Sequence, residues 1–80
     1  MPLSPRRSKV LSGDRCIKVL CKHFGFIVVR QRGSHVVLRR ETPEGAVGTV
    51  VPLHPELRQG TLRNILRLAQ VEVDDFNERL

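Results

Sequence analysis

Residues 30–40, RQRGSHVVLRR, place a histidine directly after a Gly-Ser pair and among several arginines. Histidine is the side chain suited to accept a proton from a hydroxyl near neutral pH. An arginine fork matches the oxygens of a phosphate and stabilises charge that builds on them. Together these types suit cleavage of RNA without a metal. A base removes the 2′-hydroxyl proton and the freed oxygen attacks the adjacent phosphorus. His35 is the candidate base. Arg30, Arg32 and Arg39 are candidate phosphate partners, and Gly33 and Ser34 add the backbone N–H groups and hydroxyl of the turn.

Other chemistries find less support. A Ser/His/Asp arrangement needs an acid near His35, and the hairpin is expected to put none on that face. Metal-assisted hydrolysis needs clustered carboxylates, and half of the eight acids (Glu72, Asp74, Asp75 and Glu78) crowd into the tail. Cys16, Cys21 and His23 lack the paired spacing of zinc sites. No Gly-rich phosphate loop occurs. No metal and no cofactor are therefore expected. His54, in VPLHP, reads as a residue that orients its loop, with approach to the site as the alternative. The group that protonates the leaving oxygen is not identified.

The elements that must position His35 follow from patterning. Ser12 is a helix N-cap with Asp14 in the first turn, opening a helix through GDRCIKVLCKHFG. Its apolar stripe is Cys16, Ile17, Leu20, Cys21 and Phe24, closed by Gly25. FIVVRQ and HVVLRRE are strands joined at Gly33-Ser34, a two-residue hairpin turn with glycine first. That turn sets Arg32 opposite His35, Gln31 opposite Val36, Arg30 opposite Val37, Val29 opposite Leu38 and Val28 opposite Arg39. Cross-strand partners share a face. One face then holds Ile27, Val29, Gln31, Val36, Leu38 and Arg40, fit for a core. The other holds Val28, Arg30, Arg32, His35, Val37 and Arg39. ETPEGAVG reads as a connector, and GTVVPLH as a third strand at a sheet edge, where Pro52 is tolerated. Thr61 is the expected cap of a helix with Leu62, Ile65, Leu66 and Ala69 on one face and Arg63 and Arg67 on the other. The last ten residues make a short acidic helix docked by Phe76 and Leu80.

The expected fold is thus α+β: a three-stranded antiparallel sheet, helices on one face, and a short C-terminal helix. Residues 1–10 read as a flexible basic arm and 11–80 as a single domain. Eighty residues leave no room for a second core, so any chemistry belongs on an open face. The formal charge is +6, and residues 1–71 carry 13 Lys and Arg against four acids. Such a surface attracts polyanions. With three Phe and neither Tyr nor Trp, base stacking is a poor basis for binding, so phosphate contacts and shape should dominate. Arg63 and Arg67 extend the candidate RNA-binding set. No signal peptide or apolar spanning run appears, and a cytoplasmic protein with free structural thiols is expected.

Three blocks in order, LSGDRCIKVLCKHFGF, RQRGSHVVLRR and VPLHPELRQGTLRNILR, resemble the HicA (YcfA-like) toxins of bacterial toxin–antitoxin pairs. The resemblance runs from residue 11 to about 77. It implies a fold similar to double-stranded-RNA-binding domains and a ribonuclease acting on mRNA. It also implies that the histidine of the Gly-Ser-His block, here His35, is catalytic. The implied partner is a HicB-type antitoxin that covers the site, the toxin being monomeric when free and hetero-oligomeric when neutralised. The alternative is a binding module, or a toxin without activity, that grips RNA through the same basic face and cuts nothing.

Overall fold

The computed structural model describes residues 10–80, so the basic arm lies outside the described residues but for Val10. Six elements follow in order: α1 (Gly13–His23), β1 (Ile27–Arg32), β2 (His35–Thr42), β3 (Gly45–Pro52), α2 (Gln59–Ala69) and α3 (Val73–Glu78). The three strands form one antiparallel sheet in chain order. This is the expected α+β architecture.

α1 begins where a side-chain acceptor replaces a missing helical bond: the Ser12 hydroxyl accepts from the Arg15 N–H at 3.0 Å. It turns Cys16, Val19 and Leu20 into the core, with Ile17, Cys21 and Phe24 packed at its margin. Val19 is an addition to the expected stripe. Gly25 leaves the helix at φ 77°, a conformation open to glycine.

β1 and β2 turn over at Gly33 (φ 59°) and Ser34, the glycine-first two-residue turn anticipated. Beside the turn the register is the expected one: Arg32 faces His35, Gln31 faces Val36, and Arg30 faces Val37. Beyond it a β-bulge between Val28 and Arg30 shifts the pairing, so Val28 faces Leu38 and Ile27 faces Arg39. The expected Val29–Leu38 and Val28–Arg39 pairs do not form. Ile27, Val29 and Gln31 are not core residues either, because every residue of β1 is exposed. The strand is a sheet edge that overhangs the apolar core. Phe26, just before it, enters the core instead, at 2 % exposure.

Two further boundaries move. Within the expected connector, only Pro43 and Glu44 turn the chain, and β3 starts at Gly45. Thr42 makes the turn compact: its hydroxyl donates to the Gly45 carbonyl and accepts from the Glu44 N–H. α2 starts at Gln59 after Arg58, two residues before Thr61, with no side-chain cap. It packs on β3, where the buried Thr49 hydroxyl donates to the Ile65 carbonyl at 2.9 Å. Phe76 anchors α3 in the core, whereas the Leu80 side chain stays 48 % exposed and does not dock as expected.

The core lies between the helices and one face of the sheet: Val36 and Leu38 of β2, Val47 and Val51 of β3, with Leu20, Phe26, Leu66 and Phe76. Arg40 projects to this inner side, as its strand position dictates, and is half-buried. Its guanidinium lies 4.9 Å from the Phe26 ring centre and donates to the carbonyls of Phe24 (3.2 Å) and Ala69 (3.3 Å). Those carbonyls end α1 and α2, where the helix dipoles favour a cation. Arg40→Ala should lower stability by about 2 kcal/mol, and the melting temperature by roughly 10 °C. Thermal unfolding of both proteins checks it; an unchanged midpoint would show that the two helix ends do not depend on this clamp.

Candidate nucleic-acid interface

The outer face of the sheet has no helix over it. It carries His35, Val37, Arg39 and Glu41 of β2 between Arg30 and Arg32 on β1 and Ala46, Gly48 and Val50 on β3. His35 is exposed at the first position of β2, with Arg32 as its partner on one side and Pro52 on the other. Arg30 and Arg32 are also exposed, and neither takes part in the two ion pairs found among the described residues. Their charges face solvent, which is what capture of a phosphate requires. Gly33 and Ser34 form the turn at the same end, and the Ser34 carbonyl is engaged by the Leu53 N–H at 2.6 Å.

Arg39 is placed differently. Four residues along β2, it lies roughly 13 Å from His35, and its guanidinium pairs with Glu41 at 3.0 Å. Glu41 is an acid on the His35 face, contrary to the expectation of none. Carrying the alternation of β2 one step past Arg39 would have found it. It stands at the far end of the strand, so the His35 end remains basic.

The structure does not bring Arg63 and Arg67 to this face. α2 packs on the inner side of the sheet, which places both arginines in the helical layer. Arg67 bonds Asn64 at 2.6 Å, and Arg63 lines a groove of about 470 Å³ between α2 and α3. His23 is exposed in the last turn of α1. Cys16 is fully buried, and burial pushes its thiol up to about 12, far from the thiolate needed for reaction or metal binding. Burial also raises the Cys21 thiol. Among the described residues no three His, Cys, Asp or Glu side chains gather as metal ligands, and no helix is long and apolar enough to cross a membrane.

The sequence reading missed a residue that helps to hold the site. Gly13 backs directly onto the Pro52 carbonyl, and its N–H donates to the His54 carbonyl at 2.9 Å. This contact fixes the chain beyond β3, next to the Gly33-Ser34 turn. Its only trace in the sequence is a glycine where a helix starts.

A small α+β domain with a basic, uncovered sheet face and a histidine at one end of its central strand is the class these features define. Residues 13–71 match the family model described as the HicA toxin of bacterial toxin–antitoxin. The match spans most of the chain, and the chain belongs to the HicA toxin family. Comparison with curated proteins finds no match.

Proposed function

We propose that this protein is the toxin of a toxin–antitoxin pair that acts as a metal-independent endoribonuclease on mRNA in the cytoplasm. The observation that carries the reading is the pairing of an exposed His35 with Arg32 at the open, basic end of the sheet. His35 takes the 2′-hydroxyl proton as the oxygen attacks phosphorus. Arg32 and Arg30 hold the non-bridging phosphate oxygens and stabilise the added charge. The hydroxyl of Ser34 and the N–H groups of the Gly33-Ser34 turn add neutral donors. Arg39, farther along the strand, holds the flanking backbone, while Arg63 and Arg67 only add to the positive field that draws RNA in. The products are a 2′,3′-cyclic phosphate and a 5′-hydroxyl. A HicB-type antitoxin neutralises the enzyme by laying acidic groups against Arg30 and Arg32.

The test is incubation of the purified protein with labelled RNA in EDTA, mapping the ends by mass. Cleavage with cyclic phosphate ends is the expected result. Arg32→Ala should cut about 100-fold more slowly, because a phosphate partner of the transition state is gone. Tight binding of RNA without any cleavage would sink the enzymatic reading in favour of a binding module.

A further inference from the structure

His54 reads from sequence as a loop-orienting residue, but the orienting is done by its backbone. Its carbonyl accepts from the Gly13 N–H at 2.9 Å, and the Leu53 N–H beside it donates to the Ser34 carbonyl at 2.6 Å. The side chain itself is exposed. The Leu53–Ser34 bond continues the β2–β3 ladder past its last pair, His35 with Pro52, and lays the 53–54 segment along the Gly33-Ser34 turn. Paired strands hold Cα atoms about 5 Å apart and consecutive residues about 3.8 Å apart. His54 is two residues beyond Pro52, so its Cα lies within roughly 13 Å of that of His35. Two imidazoles with this spacing can reach opposite sides of one phosphate.

We propose that His54 is a second catalytic residue, the general acid that protonates the leaving oxygen; the inference rests on the ribonuclease reading above. In the complete step, the imidazole of His35 takes the 2′-hydroxyl proton while the 2′-oxygen forms its bond to phosphorus. The bond from phosphorus to the 5′-oxygen breaks, and its electron pair stays on that oxygen. The imidazolium of His54 gives the 5′-oxygen a proton. His35 ends protonated and His54 neutral, and exchange with water restores both. Neither an external reductant nor a metal enters the balance.

The experiment uses an RNA oligonucleotide whose scissile bond, once mapped, carries sulfur in place of the bridging 5′-oxygen. A thiolate leaves without a proton, so the need for an acid disappears. His54→Ala and His54→Asn should each cut the ordinary RNA about 100-fold more slowly than the unaltered protein. On the sulfur substrate both should cut within about threefold of it, the acid step being the only one lost. His35→Ala should be slow on both substrates. Because the backbone of His54 makes the contact with Gly13, both variants should melt as the parent does. Wild-type rates for the His54 variants on ordinary RNA, or equal losses on both substrates, would overturn the assignment and leave the ribonuclease reading intact. An unaltered protein that cuts neither substrate would overturn the ribonuclease reading itself.

Discussion

His35→Ala protein should fail to cut RNA that the parent cuts, with a rate lower by at least 10²–10⁴-fold, the usual contribution of a positioned acid or base. The residue is exposed at the start of the central strand, and its side chain supports nothing in the core. Melting temperature should therefore stay within about 2 °C of the parent value, an ordinary surface-substitution effect. RNA affinity should fall little, since Arg30 and Arg32 remain. Cells expressing the variant should grow where the parent arrests them. Gel-based rates on one labelled RNA, beside a binding isotherm and a melting curve, separate these effects. A variant that cuts as fast as the parent would refute the assignment of His35. Loss of binding in step with cutting would instead mean that His35 holds RNA rather than transferring a proton.

Gly13→Ala should be the most damaging small substitution in the domain. A Cβ at this position would enter the carbonyl group of Pro52 and press on the Leu53 Cα, all of it backbone. Flexible side-chain ends can swing away from such a methyl; two main-chain segments cannot. Helix propensity favours alanine over glycine by about 1 kcal/mol, but overpacking against fixed backbone costs about 1–3 kcal/mol or more. Steric cost wins. The net loss should be about 2 kcal/mol, seen as a midpoint some 8–16 °C lower. The same change separates α1 from the chain after β3, so activity should fall even at temperatures where the variant is folded. A denaturant titration with an assay at low temperature checks both parts; a variant as stable and active as the parent would show that α1 can shift without disturbing the site.

The parts of the fold that could be read from the sequence are those decided locally. Gly33 and Ser34 determine a turn by backbone conformation alone, so the three residue pairs nearest them follow without knowledge of the rest. The bulge between Val28 and Arg30 does not follow, because the turn residues carry no information about pairing that far along the strand. Ile27 and Val29 have the strand pattern of core residues yet lie where nothing covers them, at 62 % and 47 % exposure. The face shared by His35, Arg30 and Arg32 belongs to the local part. What lies along that face at a distance, such as Glu41 beside Arg39, required the length of β2. The start of α2 departs from the local cap signal. Thr61 is a good cap by type, but the helix already runs from Gln59, with Leu57 buried ahead of it. Strand alternation is enough to put Arg40 on the inner face, but only the packed ends of two helices explain an arginine there.

The strand order has a consequence for how the molecule forms. β1, β2 and β3 are neighbours in the chain, and each turn between them is only two residues long. Closing such short loops costs little chain entropy, and topologies dominated by near-neighbour pairing fold fast, on the order of milliseconds or less for helix-rich domains. The first hairpin sets Arg30, Arg32 and His35 side by side, and Pro52 and Leu53 join that end when β3 pairs. The link of longest sequence separation described at that end joins residue 13 to residues 52–54. Its loop of about 40 residues closes at a higher entropic cost than either two-residue turn. A chain freed from a partner or refolded from denaturant would thus recover its basic face first, and the tethered segment bearing His54 last.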